Sequence, residues 1–557
     1  MRKELTAILE NSVQNLIQSG ALPEQSYDAI EISEAKSAQH GDFACNFALI
    51  TAKKIGKNPR EIAEKFKEDL ETQEIIEKVE IAGPGFINLF LKKEYILGFI
   101  AKIIDEGNQF AHTQLDKPEK INVEFVSVNP TGPITVGSGR GAAYGETLCR
   151  VLEACGHDIH REYYVNDGVN SEQMRLFGAS TKHFVMDKLG FESTFPDGGY
   201  KGSYVFDVAM QILEEHGPEC AKNETTWFQI KSQDLMYAKH KSALKKFGVE
   251  FDTWYSEQSL TESGAVEKEL EELKKRGATY EKEGALWLES TKYGDDKDRV
   301  LIREDKRPTY VTSDIAYHKT KYERGATRLI DIMGQDHHGY KGRIKAAMEA
   351  LGYDPDTFDM IIYQIVRLLK DGKPTRMRKR DGNIYELEDL VDETGVDTAR
   401  FFYLMRSHDT LMDFDIDLAT KETDDNPVFY VQYAHARICS IIDKAKEEGL
   451  TPDKSKLDLI QDKRELALIK KVLSLPHEIQ RCSEDYGIHR LTTFAIELAR
   501  AFHHFYDGCR VIDKENEDLS KARLAVCQVA QFGLQASFNL LGISAPKRMS
   551  RKEAAVQ

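Results

Sequence analysis

The sequence predicts an α/β fold: a doubly wound parallel sheet at the centre of the chain, an α+β module before it and an all-α helical bundle after it. Three observations predict this. First, the segment VEFVSVNPTGPITVGSGRGAAYGETLCRVLEACGHDIHREYYVND, from Val123 to Asp167, runs from apolar Val123, Phe125, Val126 and Val128 into a Pro/Gly-punctuated loop. Ala142, Leu148, Val151, Leu152 and Cys155 then recur near helical period, and Ile159, Tyr163, Tyr164 and Val165 form a second strand-like run, which completes a βαβ unit. Second, strand signals return at DRVLIRE, ATRLIDIMG and DMIIYQIV, separated by helices of which KGRIKAAMEALG is the clearest. Strands alternating with helices make a parallel sheet that gathers ligands at its carboxyl ends. Third, from about residue 420 the pattern is helical almost throughout, with Pro and Gly only at breaks.

In chain order, residues 1 to about 115 read as a separate α+β module. Leu5, Ile8, Leu9, Val13, Leu16 and Ile17 mark an opening amphipathic helix. Asn58-Pro59 pairs a cap with a first-turn proline ahead of a helix carrying Ile62, Phe66 and Leu70. VEIAG and FINLFL flank Gly83-Pro84-Gly85 as a strand, a turn and another strand. The polar stretch His112 to Lys120 reads as a linker. A nucleotide-binding domain spans about 118 to 385, interrupted at about 185 to 295 by an insertion with helical charge patterning (VEKELEELKKRG) and a hairpin around ATYEKEGALWLES. The helical domain covers 420 to 557. In the βαβ unit, a glycine-rich loop feeding a helix N-terminus presents N–H groups and a positive dipole end to an anion, so a nucleotide phosphate is expected there.

Bulk properties exclude several classes. Eight cysteines (Cys45, Cys149, Cys155, Cys220, Cys439, Cys482, Cys509, Cys527) include no Cys-x-x-Cys pair, which argues against a disulfide framework and against structural zinc. No uncharged apolar run reaches membrane-spanning length, and Glu4, Glu10 and Asn11 break the opening segment where a secretory signal is continuously apolar. A cytoplasmic protein with no membrane partner is expected. The formal charge of −16 does not exclude nucleic acid, because phosphate contacts need only a local basic track. Arg367, Lys370, Lys373, Arg376, Arg378, Lys379 and Arg380 supply one against Asp371 alone.

The motif NPTGPITVGSGRGAAYG, from Asn129, resembles the NPTGPLHVGHGRGAA segment of class I aminoacyl-tRNA synthetases. REYYVND, PDGGYKG, YVTSDIAYH, GQDHHGY and NPVFYVQYAHARICSI are similar to words of the arginyl-tRNA synthetase family, in the family's order and across nearly the whole chain. Two departures stand out. The family's His-x-Gly-His reads Thr135-Val136-Gly137-Ser138 here, and its Lys-Met-Ser-Lys loop reads Arg376-Met377-Arg378-Lys379.

The resemblance implies a Rossmann-like catalytic domain, an N-terminal domain on the tRNA elbow and a helical anticodon-binding domain. It implies an arginine–tRNA ligase that makes arginyl-adenylate from arginine and ATP and transfers the arginyl group to the terminal adenosine of arginine tRNA. Mg²⁺ arrives with ATP, and a monomer is expected. Thr135, Ser138, Arg378 and Lys379 take the catalytic positions; a hydroxyl still donates to phosphate, about half as strongly as a charged donor. Pro130, Gly137, Arg140, Gln335, His337, His338 and Met377 fall in ATP-facing words, with Gly137 letting the adenine approach the backbone.

A guanidinium requires a carboxylate in planar, bidentate geometry, and Asp314 stands at the family's position for it, with Tyr310 one turn earlier and Gln335 at a strand end. Ser127, Asn129, Asp158, Tyr163 and Asp167 are further arginine-binding candidates. From local sequence, Asp314 also reads as a helix N-cap before IAYHKTKYE. His337 and His338 are adjacent, point apart and have no third partner at metal spacing, so they read as a phosphate or ribose contact or as loop histidines. Tyr433, His435, Arg437, Tyr506 and Arg510 are the tRNA-binding candidates of the bundle, since aromatics interleaved with basic residues stack on unpaired bases. Phe429, Phe502 and Phe505 are expected in its core.

Two other readings remain open at this point. One is a catalytically impaired, synthetase-like protein that binds tRNA or arginine. The other takes Gly137-x-Gly139-x-x-Ala142 with Glu162 as a dinucleotide fingerprint, against which NPTGPIT intervenes between strand and first glycine.

Overall fold

The computed structural model describes residues 1–35, 38–113, 115, 117–168, 171–337, 339–374 and 385–550. The chain divides into two compact units.

The first unit comprises Met1–Phe110, Ala434–His477 and Glu497–Gln535. Its four-stranded antiparallel sheet has the order Ile32–Glu34, Phe43–Cys45, Phe86–Leu91, Ile76–Ala82. The opening helix Arg2–Gln18 buries Leu5, Leu9, Val13 and Leu16, as its periodicity predicts. The Asn58 side chain accepts the Arg60 N–H at 2.9 Å and caps helix Pro59–Leu70, which buries Ile62, Phe66 and Leu70. Helices supply the later segments, and Lys463–Leu473 starts from a reciprocal cap between Asp462 and Glu465. Helix Glu517–Leu541 is long and apolar enough to cross a membrane by length and composition, yet 72% of its apolar window is buried inside the protein. Its apolarity is that of a core helix.

The second unit comprises Ala111–Tyr433, Glu478–Ile496 and the chain from Ala536. Its centre is a five-stranded, all-parallel sheet in the order Phe358–Tyr363, Arg328–Gly334, Lys120–Phe125, Asp158–Val165, Thr253–Ser256. Helix Val136–Ala154 carries the chain from Lys120–Phe125 to its neighbour on one side, and the chain later returns to its other side at Arg328–Gly334. The order therefore reverses at the carboxyl end of Lys120–Phe125, where ligands of such sheets bind. The register sets Asp331 opposite Glu124, and Glu124 opposite Glu162, so three acids stand in a row across three strands.

One strand departs from expectation. DRVLIRE does not join the parallel sheet: Arg299–Ile302 pairs antiparallel with Ala285–Leu288, which pairs with Thr279–Lys282. The turn at Glu283 (φ 53°) and Gly284 (φ 73°) is a two-residue hairpin that makes Thr279–Lys282 and Ala285–Leu288 antiparallel, and Arg299–Ile302 adds to the other edge of Ala285–Leu288. DMIIYQIVRLL divides as well, because Val366–Lys370 leaves the main sheet to pair with Met412–Asp415 and Lys373–Pro374. Helices Glu172–Lys188, Ser203–His216 and Thr225–Lys246 close around Phe177, Val205, Val208, Ile212, Phe228 and Met236.

Candidate active site

Helix Val136–Ala154 starts from Thr135, whose Oγ1 accepts the Ser138 N–H at 3.4 Å and lies 3.3 Å from Ser138 Oγ. The two hydroxyls expected to replace histidines thus stand together at a helix N-terminus. Three glycines of this helix are demanded by packing. An added Cβ would lie 2.7 Å from Leu387 at Gly139, 2.8 Å from Tyr363 at Gly141 and 2.4 Å from Phe125 at Gly145. Gly137 differs: a Cβ there would meet only Thr135 Oγ1, at an ordinary 3.6 Å. Packing does not demand that glycine. Gly145→Ala is accordingly expected to destabilise by about 1–3 kcal/mol. Gly137→Ala should keep or slightly raise the melting temperature while raising the KM for ATP; a normal ATP KM would remove Gly137 from the site.

The chain beyond the basic track returns to this N-terminus. Val136 N–H donates to Tyr385 O at 3.3 Å and Leu387 N–H to Ile134 O at 2.8 Å. Met377, Arg378 and Lys379 lie outside the described residues, as does His338. Gln335 directly follows strand Arg328–Gly334 and opens the short turn Gln335–His337.

After strand Lys120–Phe125 the chain enters a strained corner: Val126 (φ 69°) and Ser127 (φ 40°) both sit in left-handed conformation, at a cost of about 1–3 kcal/mol each. Cross-strand bonds hold it. Ser127 Oγ accepts the Tyr164 N–H at 3.0 Å, and the Tyr163 hydroxyl donates to Val128 O at 3.0 Å while accepting its N–H at 3.2 Å. Asn129 bonds Gln173 at 2.8 Å and Asn166 at 3.0 Å, and Pro130 is buried beside it.

Four expectations need correction. Tyr163 is 0% exposed and its hydroxyl is committed to the loop, so it braces the corner instead of touching arginine. Arg140 is 1% exposed and donates to the carbonyls of Gln364, Ser407 and Thr410 at 2.7–2.9 Å, so it ties down those loops instead of meeting ATP. Burial pulls its guanidinium down to about 10, still charged at neutral pH. Asp158 opens its strand at the amino edge, roughly 23 Å from Val165 at 3.3 Å per residue, on the side of the sheet away from the ligand edge. His435 is 0% exposed and cannot reach a base.

Asp314 lies on helix Tyr310–Glu323, whose N-cap is Thr309. The N-cap alternative for Asp314 therefore falls. Tyr310 occupies the first helical position, 73% exposed. Asp314 accepts a hydrogen bond from the Tyr340 hydroxyl. Burial raises its carboxyl to about 7; the Tyr340 bond and the His318 charge oppose that rise, and the charges of Glu257 and Glu124 add to it. Asp167 accepts from Ser256 Oγ at 2.6 Å and from the Gln258 N–H at 2.9 Å. The Tyr164 hydroxyl gathers the group: burial raises it first, and then the charges of Glu257, Asp314, Glu124 and Asp167. Glu257 is itself raised, by burial and by Asp167. The charges of four carboxylates thus act on one tyrosine near the carboxyl edge of the sheet. Glu124, Tyr164, Glu257 and Tyr340 were not among the site candidates, although Glu124, Tyr164 and Tyr340 lie inside the quoted motifs.

In the first unit the Arg437 guanidinium lies 4.4 Å over the half-buried Tyr506 ring, and Arg510 is exposed. In the second unit Tyr433, half-buried, stacks on Phe429 at 6.1 Å. Phe429, Phe502 and Phe505 are buried, as expected.

A helix N-terminus at the switch point of a parallel sheet belongs here to a class I aminoacyl-tRNA synthetase catalytic domain: the family model for class I tRNA synthetases (R), catalytic domain, matches residues 99–423. The arginyl tRNA synthetase N terminal domain matches residues 3–91 and the DALR anticodon binding domain residues 431–549. The arginine–tRNA ligase of Carboxydothermus hydrogenoformans is 42% identical over 542 residues, 96% of each chain. That of Bacillus subtilis is 40% identical over 555 residues, 98% of this chain and 99% of the other. The structure of Thermus thermophilus arginyl-tRNA synthetase shares the fold, with a TM-score of 0.76 at 20% identity over 99% of this chain and 100% of that one. The chain belongs to the arginyl-tRNA synthetase family.

Proposed function

We propose that the chain is an arginine–tRNA ligase whose arginine pocket is the carboxylate cluster around Tyr164 and Asp314, and whose ATP site is the N-terminal end of helix Val136–Ala154. The observation that carries this reading is the placement of Asp314 on helix Tyr310–Glu323, hydrogen-bonded to Tyr340 and close enough to Tyr164, Glu257 and Glu124 for their charges to act on one another. Glu124 already has the Lys321 ammonium, whereas burial and neighbouring carboxylates raise Asp314 and Glu257; acids raised in that way are relieved by a cation, and a guanidinium offers five donors in a planar fork. Asp314 with Tyr340 behind it orients that fork, while Ser127, Asn129, Asp167, Tyr310 and Gln335 frame the rest of the amino acid.

Activation joins the arginine carboxylate to the ATP α-phosphorus as pyrophosphate leaves. A ribose hydroxyl of the terminal adenosine then attacks the carbonyl of the mixed anhydride, and AMP leaves. The protein positions the reactants and offsets charge developing on phosphate oxygens. The helix dipole, the Thr135 and Ser138 hydroxyls, Arg378 and Lys379 take that part, with Pro130, Gly137, Gln335, His337, His338 and Met377 around the nucleotide. Mg²⁺ comes with ATP, held mainly by its phosphates. Domains at 1–115, at 118–385 with its 185–295 insertion and at 420–557 divide the work into tRNA contact, catalysis and anticodon binding. The Arg437–Tyr506 pair and Arg510 of the first unit offer stacking and phosphate contacts to tRNA, and Tyr433 of the second unit is a separate stacking candidate. We further take the chain to be cytoplasmic and monomeric.

Attachment of labelled arginine to arginine tRNA in the presence of ATP and Mg²⁺ tests the reading. Product no greater than a blank without the protein would leave a binding protein in its place. Within the active enzyme, Ser138→Ala is expected to lower the activation rate about 10-fold, roughly 1.4 kcal/mol, by removing one phosphate donor. An unchanged ATP–pyrophosphate exchange rate would exclude Ser138 from the transition state.

A further inference from the structure

Helix Tyr310–Glu323 turns one face, made of Asp314, Tyr317, His318 and Lys321, toward the acid row of the sheet. Lys321 donates to Glu124 at 2.6 Å and Asp331 at 2.9 Å; Tyr317 donates to Glu162 at 2.7 Å. Arg324, at the helix end, reaches both Glu162 oxygens at 2.5 and 2.9 Å. Within this array His318 is 2% exposed, and both ring nitrogens face acceptors: Nδ1 lies 2.6 Å from the Asp314 backbone oxygen and Nε2 2.7 Å from Asp331 Oδ2. A carbonyl oxygen cannot donate. Asp331 also accepts from Lys321, so it is ionised and cannot donate either. Both imidazole nitrogens must then carry a proton, which makes the ring a buried cation.

We infer that His318 is a positioning residue for arginine recognition: held as an imidazolium between the Asp314 carbonyl and Asp331, it fixes the helical turn that carries Asp314, and its charge favours the ionised form of that carboxylate. This rests on the reading of Asp314 as the guanidinium partner. The charged groups around the ring are Asp331 and Glu124 on the sheet and Lys321 and Asp314 on its own helix; the rings of Tyr317 and Phe358 meet it edge-on. Burial alone would lower the imidazole, but Asp331 and Glu124 outweigh it and the net direction is upward.

The test is the arginine KM between pH 6 and 9 in ATP–pyrophosphate exchange with cognate tRNA, for the unmodified chain, His318→Gln and Asp314→Asn. Glutamine can still donate to Asp331 but carries no charge and lacks the second donor. If loss of a charge within a few ångströms raises the Asp314 carboxyl by about one unit, the arginine KM rises about 5-fold at pH 7 and returns almost to normal at pH 9. The ATP KM stays unchanged. A KM raised by one constant factor at every pH, or not raised at all, overturns the inference. Should the variant fail to fold, ¹⁵N-histidine spectra of the unmodified chain decide: of its sixteen histidines, one must keep both ring protons at pH 8, and none doing so overturns it. Asp314→Asn separates the two levels. If it uses arginine normally, the arginine-site reading fails; if it loses arginine use at every pH while His318→Gln shows no pH-dependent effect, only the role of His318 falls.

Discussion

Asp314→Asn is expected to raise the arginine KM by about 30-fold or more while leaving the ATP KM within about 2-fold, and at the same time to make the free protein more stable at pH 8. The first effect follows from replacing an anionic acceptor with an amide that turns a donor toward the guanidinium's donors, a loss of about 2–5 kcal/mol in a desolvated pocket. The second follows from linkage. The folded protein raises the Asp314 carboxyl to about 7 from an ordinary value of 3.8, chiefly by burial. Between those values the folded state keeps a proton that the unfolded chain has released, so stability falls as pH rises through this window and the full penalty holds above it. Asparagine carries no such penalty. Melting temperatures of variant and parent should coincide near pH 4 and diverge in favour of the variant by pH 8. An arginine KM unchanged at pH 8 would sink the binding role; a variant less stable than its parent there would sink the electrostatic account.

If Asp314 binds the guanidinium as proposed, the same carboxyl is expected to make arginine use pH-dependent in the parent. A bound guanidinium favours the ionised form, so affinity present above about pH 7 is lost as pH falls through the free protein's value.

How much of this was legible in the sequence depended on how local each signal was. The βαβ unit, the Asn58-Pro59 cap and the Glu283-Gly284 hairpin are written in neighbouring residues, and they stand as read. Tyr163 and Tyr164 show where local reading stops. Adjacent strand residues point to opposite faces, and nothing in REYYVND states which face holds the acids; Tyr164 has that face, and Tyr163 the loop. Arg140 looked like a phosphate ligand because arginine near a glycine loop usually is one. Its three carbonyl partners lie more than 220 residues away, beyond any local pattern. Asp158 failed because a strand's direction relative to its ligand edge is a property of the sheet. DRVLIRE failed because a β-branched run does not name its partner. Glu124, Asp331 and Glu162 each look misplaced inside a strand. They make sense only once the register aligns them under a helix whose cations answer them.

Lys321→Met carries the largest expected loss of stability, about 3–5 kcal/mol, because it removes one member of a buried ion network and leaves the others uncompensated. Lys321 is 1% exposed and serves both Glu124 and Asp331, at 2.6 and 2.9 Å. Methionine fills most of the stem's volume, so the loss measures charge and not a cavity. Lys65→Met breaks the exposed pair with Glu68 and should cost no more than about 1 kcal/mol. The deficit at Lys321 must also depend on pH, with a sign the structure sets. Burial raises Glu124, with Asp331 adding to the rise, whereas Lys321 and His318 outweigh burial at Asp331 and hold it low. On acidification the proton therefore goes to Glu124, and a neutral Glu124 no longer needs Lys321. The melting-temperature deficit of Lys321→Met should shrink from pH 8 to pH 5, and Lys321→Met combined with Glu124→Gln should be less damaged than the single variant at pH 8, since the added change removes an orphaned charge. Because Asp314 rides on the same helix, the single variant should also raise the arginine KM. A deficit no larger than that of Lys65→Met, or one that grows toward low pH, would mean that the acid row and the helix are not held together by charge.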